Sequence, residues 1–97
     1  MSSTADQPWI VEVTPPAVRN LRQVPARYRD ALVEFIYGGL AESPKRRGNP
    51  LRPPLERLWS ARRDDFRVLY RLDEDSRTLC VVRVSHRGLA YRVVTSQ

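Results

Sequence analysis

The chain has 97 residues, enough for one domain with a single modest core, and its 41% hydrophobic and 29% charged content excludes disorder of the whole chain. The charge is unusual, because 17 Lys+Arg oppose 11 Asp+Glu, for a net charge of +6, and Lys45 is the only lysine. This excess of arginine favours a polyanionic partner, namely RNA, DNA or an acidic protein.

The N-terminal part of the chain changes from a polar tail to a strand near residue 9. Residues 1–8 are small and polar and are predicted to be flexible, which leaves 9–97 as a single domain. The segment WIVEV (9–13) is rich in apolar and β-branched residues and predicts a short strand.

Two helices are predicted next. Thr14 is placed to cap the first helix, two prolines occupy its first positions, and Val24 with Pro25 ends it. In the second helix apolar residues recur at three- and four-residue spacing, and Gly38 with Gly39 ends or loosens it. The two helices should form a hairpin that packs on a sheet. The apolar positions of the second helix are Tyr28, Ala31, Leu32, Phe35, Ile36 and Leu40.

The segment 42–58 contains four prolines and a glycine and is predicted to be a loop without regular structure. It is also basic, which permits two interpretations. It is either a solvated connector or a loop that follows nucleic-acid phosphates beside a functional site. On the second interpretation, its RNA-binding residues are Lys45, Arg46, Arg47, Arg52 and Arg57.

Three strands are predicted in the second half of the chain, at 58–63, 65–73 and 78–86. In the middle strand apolar side chains alternate with Arg67 and Arg71, which predicts one face in the core and one face open to water. The element order β-α-α-β-β-β indicates an α+β domain, with a helical hairpin packed on one face of a mostly antiparallel sheet.

A single cysteine and a single histidine limit the chemistry that the chain can perform. Cys80 permits no internal disulfide, and alternation within its strand places it on one face with Val82 and Val84, which predicts a buried structural thiol. One cysteine and one histidine argue against a metal site, so we expect no cofactor. Neither a signal peptide nor an apolar run of about 18 residues is present, which predicts a cytoplasmic protein without membrane contact.

A dense series of motif positions covers residues 48–92, GNPLRPPLERLWSARRDDFRVLYRLDEDSRTLCVVRVSHRGLAYR. This stretch resembles the RelE branch of the RelE/ParE toxin superfamily, in which similar spacings of Leu-Trp, Arg, Tyr-Arg-Val, His-Arg and Tyr-Arg recur. The matching residues are Gly48, Pro50, Leu51, Leu55, Leu58, Trp59, Arg62, Asp65, Phe66, Arg67, Val68, Tyr70, Asp73, His86, Arg87, Tyr91 and Arg92.

The resemblance implies a type II toxin that a RelB-like antitoxin keeps silent. It further implies an endoribonuclease that enters the ribosomal A site and cuts mRNA, through attack of a ribose 2′-OH on the adjacent phosphate. Contact with DNA would be indirect, through the antitoxin. Under this resemblance Arg62, Arg67 and Arg87 bind the phosphate and stabilise its developing charge.

Proton transfer requires other groups, because a guanidinium with a pKa above ~12 is a poor general base. The lysines that some RelE toxins carry are replaced here by the stretch 60–62, and a glutamate of another branch is replaced by Asn49. The remaining candidates are His86 and Tyr91, although each could instead have a structural role. Trp59 is interpreted as a core residue rather than a base-stacking one.

Two alternatives to the nuclease remain open from the sequence. A ParE-like toxin would share the fold and inhibit DNA gyrase without cutting a nucleic acid. A simple RNA- or DNA-binding domain would use its arginines only to follow phosphates. Loss of one arginine would then weaken binding modestly, whereas a nuclease would lose its toxic activity.

Overall fold

The computed structural model describes residues 8–51 and 57–86, in which a helical layer packs on one face of a five-stranded sheet. Residues 1–7, most of the predicted flexible tail, lie outside this range. No helix within it is long and apolar enough to cross a membrane. The elements are β1 (Ile10–Val13), α1 (Pro15–Gln23), α2 (Ala26–Phe35) with a π-helical turn (Ile36–Leu40), α3 (Pro44–Arg47), β2 (Gly48–Pro50), β3 (Trp59–Arg63), β4 (Phe66–Asp73) and β5 (Thr78–His86).

The strands have the spatial order β1-β5-β4-β3-β2. Strand β1 is parallel to β5, whereas every other neighbouring pair is antiparallel. The predicted α+β class with a mostly antiparallel sheet is therefore confirmed, although the sheet has one strand more than predicted. Four of the five strands begin and end within one residue of the predicted bounds.

One apolar cluster joins the helices to the sheet. Leu32 and Ile36 from the helical layer and Val68 and Tyr70 from β4 are almost completely buried in it. The alternation predicted for β4 is confirmed, because its residues 66, 68 and 70 are buried while their neighbours are partly or fully exposed. The side of the sheet away from the helices is called the open face below; on β3 and β4 it carries Ser60, Arg62, Arg67, Leu69 and Arg71.

Side-chain hydrogen bonds fix both ends of α1. Thr14 is the N-cap, as predicted, and its Oγ1 accepts a hydrogen bond from the backbone N–H of Ala17 at 3.4 Å. At the other end, the guanidinium of Arg29 in α2 donates hydrogen bonds of 2.9–3.0 Å to three carbonyls that end α1. These bonds tie α2 to α1 and satisfy acceptors that a helix end leaves unpaired. The carbonyls belong to Leu21, Arg22 and Val24.

The prediction that 42–58 lacks regular structure is wrong. Pro44 begins the short helix α3, at a position where a missing N–H removes no helical hydrogen bond. Pro50 ends β2, which is an edge strand and therefore tolerates proline. The prediction for the two glycines of α2 is confirmed, since Gly38 and Gly39 lie in the wider π-helical turn.

A buried tyrosine joins α3 to the sheet. The Tyr70 hydroxyl donates a hydrogen bond of 2.6 Å to the carbonyl of Pro44. Gly48 lies directly beside this contact, and a Cβ at that position would be 2.1 Å from the hydroxyl oxygen and 2.9 Å from the carbonyl oxygen of Ser60. The close packing therefore requires glycine at 48. Burial raises the pKa of Tyr70 from 10.0 to about 12.

A bulge in β5 changes which of its side chains face the core. Leu69 of β4 pairs with Arg83, but the next residue, Tyr70, pairs with Val81, so Val82 has no partner of its own in β4. The alternation between core-facing and open-facing side chains is therefore interrupted at Val82. Before it the odd-numbered residues of β5 face the core, and after it the even-numbered residues do. A β-bulge of this kind inserts one residue into one strand and redirects the side chains that follow it.

The bulge overturns the prediction for Cys80. The prediction placed it on one face with Val82 and Val84, in the core, but Val84 is buried while Cys80 is only half-buried. Cys80 pairs with Arg71 across β4 and with Glu12 across β1, so it lies on the open face. The interpretation of Cys80 as a buried thiol is therefore wrong, because one inserted residue shifts every later side chain to the other face.

Candidate functional site

Two arginines stand directly opposite each other on the open face. Arg62 of β3 is in register with Arg67 of β4, so both side chains leave the same side of the sheet. Directly opposed residues of antiparallel strands have Cβ atoms about 4.5–5.5 Å apart, and like charges at this separation repel. Within residues 8–51 and 57–86, neither arginine has a carboxylate partner. An anion between the two guanidinium groups would replace this repulsion with attraction.

Arg67 is the more deeply buried of the two cations. Arg62 is exposed, whereas Arg67 is half-buried, and its Nε is buried without a hydrogen-bond partner among the described residues. A partly desolvated cation without a counter-charge gains more from an incoming anion than a fully solvated cation does. Arg67 is therefore suited to fix the position of an anion, and exposed Arg62 can close on it from the neighbouring strand.

The bulge in β5 extends this basic surface. Ser85 is in register with Arg67, and Arg83 is in register with Leu69, so both lie on the open face. Had alternation continued unbroken from buried Val81, Arg83 would have pointed toward the core. Arg83 is instead exposed and lies diagonally across from Arg67. We name the set Arg62, Arg67 and Arg83 the arginine cluster.

His86 lies on the other side of the sheet. It pairs with Phe66, whose side chain is buried toward the helices, and its ring packs edge-on against the Phe66 ring with 5.3 Å between centroids. The same change of parity that brings Arg83 to the open face thus turns His86 away from it. The structure does not bring the predicted His86 together with Arg62 and Arg67.

The basic residues of α3 also lie apart from the arginine cluster. The Lys45 ammonium forms an ion pair with Glu74, in the turn that follows β4. Arg67 stands near the start of β4, so about six residues of strand, or roughly 20 Å, separate it from that turn. Lys45, Arg46 and Arg47 are all exposed in α3, which Tyr70 holds against the edge of the sheet.

The far end of the open face has a mixed charge. A broad hollow of about 800 Å³ is bordered there by Arg57 and Arg71, but also by Glu12, Asp73 and Asp75. Arg57 is thus exposed near carboxylates rather than beside Arg62 and Arg67. One end of the open face therefore carries the arginine cluster, next to the turn that contains Asp64 and Asp65, and side chains of both charges border the hollow at the other end.

Known proteins of similar sequence identify the family of this chain. Residues 11–91 match the family model described as the ParE toxin of the type II toxin–antitoxin system parDE. The chain belongs to the RelE/ParE toxin superfamily. Toxin RelE of Mycobacterium tuberculosis is 40% identical over 88 residues, which are 91% of both chains. Toxin RelG of the same organism is 44% identical over 85 residues, which are 88% of this chain and 98% of that one.

A solved structure agrees with this assignment. The crystal structure of the toxin–antitoxin complex RelBE2 from Mycobacterium tuberculosis contains a chain that is 43% identical, with a TM-score of 0.80. The match covers 84% of this chain and 93% of that one. The chain is therefore a toxin of a type II toxin–antitoxin family, and its relatives with high identity carry RelE-type names.

Three of the site residues predicted from the sequence lie outside the described part of the chain. They are Arg52, Arg87 and Tyr91. Their predicted roles stay predictions. Trp59, interpreted as a core residue, does pack against the core of the toxin, with its ring stacked on Tyr70 at 6.4 Å between centroids.

Arg83 was not among the predicted site residues of this toxin. A signal for it exists in the sequence, because apolar Val84 stands between Arg83 and Ser85, which is the pattern of a strand with one buried residue between two open ones. That pattern conflicts with the one set by Leu79 and Val81 earlier in the same strand. A conflict of parity within one strand is itself the sequence signal of a bulge.

Proposed function

We propose that this toxin is a ribosome-dependent endoribonuclease that cuts mRNA in the A site. The observation that carries the proposal is the pair Arg62 and Arg67, two directly opposed cations without a carboxylate partner in the described residues. Such a pair is suited to one doubly coordinated anion, and a backbone phosphate of RNA fits that requirement. The names RelE and RelG of its relatives support the same branch.

The proposed reaction is an internal phosphoryl transfer. The ribose 2′-oxygen forms a bond to the adjacent phosphorus while the bond from phosphorus to the 5′-oxygen breaks. One product ends in a 2′,3′-cyclic phosphate and the other begins with a 5′-hydroxyl. The 2′-OH loses its proton to a base, and the departing 5′-oxygen gains one from an acid.

In this scheme Arg62 and Arg67 stabilise the negative charge that grows on the phosphorane oxygens. A fixed pair of guanidinium groups can do this without a change in its own protonation, because arginine stays charged at every working pH. Arg87 is proposed as the third cation, on the basis of the family resemblance. Loss of one such donor in other enzymes reduces the rate by about 10²–10³, or roughly 3–4 kcal/mol of barrier.

The proton-transfer groups are proposed from the two remaining candidates. His86 packs on Phe66, on the helical side of the sheet. An anion bound by Arg62 and Arg67 would lie on the opposite side. Tyr91 is therefore the preferred candidate, and Tyr91→Phe should reduce single-turnover cleavage more strongly than His86→Gln does.

The proposed natural partner is a RelB-like antitoxin with an acidic segment that orders on binding. A related toxin was solved in a complex with its antitoxin, RelBE2. The net charge of +6 on this toxin suits a negatively charged partner. Any contact with operator DNA would then be indirect, through the antitoxin, and the pair would act in the cytoplasm, where translation takes place.

Primer extension on mRNA translated in a purified system tests the proposal. Wild-type toxin should produce cuts in phase with codons, and Arg67→Gln should reduce the single-turnover rate by about 10²–10³. Arg19→Gln is the matched control, since it removes the same charge from an exposed position of α1, which packs on the helical side of the sheet. Antitoxin binding should survive all of these substitutions.

A ParE-like activity is the second candidate, because the matching family model carries that name. It predicts intact mRNA together with trapped complexes of gyrase and cleaved DNA. Cuts in mRNA that persist at the wild-type rate in Arg67→Gln, or no cuts at all, would contradict the nuclease. Trapped gyrase complexes without mRNA cuts would establish the alternative.

A further inference from the structure

We propose that Arg83 is a further RNA contact of this toxin, which binds the backbone phosphate next to the one held by Arg62 and Arg67. The proposal rests on the proposed function for the identity of the anion as RNA. Arg83 itself is placed by the structure alone, through the register of β5 with β4.

The first argument is geometric. Arg67 pairs with Ser85 and Leu69 pairs with Arg83, so Arg67 and Arg83 are diagonal neighbours on the open face. Diagonal side chains in an antiparallel pair lie about 7–8 Å apart, within reach of long side chains but too far apart for direct contact of their stems. Two guanidinium groups at this separation can bind successive phosphates of one strand rather than a single phosphate.

The second argument concerns the bulge. Val82 is the inserted residue, and without it Arg83 would follow the parity of buried Val81 and point into the apolar core. Bulges of this type occur next to functional sites, where they redirect a side chain. Here the redirected side chains are Arg83 and Ser85, and both are directed to the face that already carries Arg67.

The third argument is that Arg83 has no structural task that would explain it. It is exposed and makes no hydrogen bond or ion pair within the described residues. Asp64 and Asp65 lie in the turn between β3 and β4, yet neither forms an ion pair with Arg83. By contrast, Arg29 uses its guanidinium for three backbone carbonyls. A cation held without a counter-charge beside two others favours an external polyanion.

The test measures the salt dependence of RNA binding. Each phosphate contact to single-stranded nucleic acid contributes about 0.7 to the slope of log K against log salt concentration. A short 2′-O-methylated single-stranded RNA, which cannot be cut by 2′-OH attack, is titrated by fluorescence anisotropy over a range of salt concentrations. We expect Arg83→Gln to lower the slope by about 0.7, and Arg83→Lys and Arg19→Gln to keep the wild-type slope.

Several outcomes would overturn the assignment of Arg83. They are absence of RNA binding by the wild type, an unchanged slope in Arg83→Gln, and an equal loss of slope in Arg19→Gln, which would indicate net charge alone. A loss of antitoxin affinity in Arg83→Gln with an unchanged RNA slope would overturn it as well, since Arg83 would then serve the protein partner.

A failure of the proposed nuclease function can be distinguished from a failure of the Arg83 assignment. A wild type that binds the RNA with an Arg83-dependent slope but cuts no translated mRNA would reject the nuclease and keep the Arg83 contact. If the nuclease holds, Arg83→Gln should raise the half-saturating toxin concentration in single-turnover cleavage and leave the rate at saturation unchanged. Arg67→Gln should lower the rate at saturation, which separates a binding residue from a catalytic one.

Discussion

The hydroxyl of Tyr70 offers a direct test of how the basic segment α3 is held on the sheet. Tyr70→Phe keeps the buried ring and its stacking on Trp59 but removes the donor of the 2.6 Å hydrogen bond to the Pro44 carbonyl. Because Pro44 is buried, its carbonyl would lose its partner without regaining water, which costs about 1–3 kcal/mol. In a domain of this size each kcal/mol lowers the Tm by about 4–8 °C.

The same residue makes stability depend on alkaline pH. Burial raises the pKa of Tyr70 from 10.0 to about 12, so the unfolded chain loses this proton first as the pH increases. Its contribution to stability is therefore complete below pH 10 and is lost as the pH rises to about 12. A pKa difference of this size corresponds to a loss of roughly 3 kcal/mol in the free energy of unfolding. Phenylalanine cannot ionise, so the variant should lack this part of the alkaline loss.

Equilibrium urea unfolding, followed by tryptophan fluorescence, measures both effects. The free energy of unfolding is compared at neutral pH and at several values between 10 and 12 for wild type, Tyr70→Phe and the control Tyr37→Phe, whose side chain is 56% exposed. Tyr37→Phe should resemble the wild type throughout. The reasoning is refuted if Tyr70→Phe is as stable as wild type at neutral pH, or if both lose the same free energy between pH 10 and 12.

Three further substitutions test individual contacts by the same unfolding assay. Gly48→Ala should destabilise by about 1–3 kcal/mol or more, because the new Cβ meets the Tyr70 hydroxyl, and the loss should be smaller in the Tyr70→Phe background. Arg29→Lys should cost about 1–3 kcal/mol, since an ammonium cannot reach all three carbonyls at the end of α1; equal stability would contradict that role. Asn20→Ala should cost about 1–3 kcal/mol by leaving the Val84 N–H, 3.0 Å from the Asn20 Oδ1, without an acceptor, whereas Asn20→Asp should keep most of the stability.

The parts of the fold that follow local rules were predictable from the sequence. The cap at Thr14 and the alternation in β4 each rest on residues close together in the chain, and both are confirmed. The helix α3 and strand β2 were missed because they depend on distant contacts. The bond from Tyr70 to Pro44 and the close packing over Gly48 join residues 22 to 26 positions apart.

The candidate site likewise contains residues whose position the sequence predicted and residues whose position it did not predict. Family spacing predicted Arg62 and Arg67, and their direct opposition on the open face follows from a simple hairpin register. The sides of the sheet on which His86 and Arg83 lie depend on the bulge at Val82, whose sequence signal is the conflict of parity between Val81 and Val84. A parity counted from Leu79 and Val81 places Arg83 in the core and His86 on the open face. A parity counted from Val82 and Val84 places both residues correctly but misplaces Cys80, so no single parity describes this strand.

The arginines of this toxin fall into two groups that the sequence does not separate. Arg29 binds the carbonyls at the end of α1, and Arg77 lies 4.8 Å from the centre of the Trp9 ring, so both have structural tasks. The arginine cluster has no hydrogen-bond or carboxylate partner in the described residues. Mutual repulsion among three neighbouring cations costs stability in the free toxin. An external anion removes that cost, so binding of an RNA phosphate should stabilise this end of the sheet.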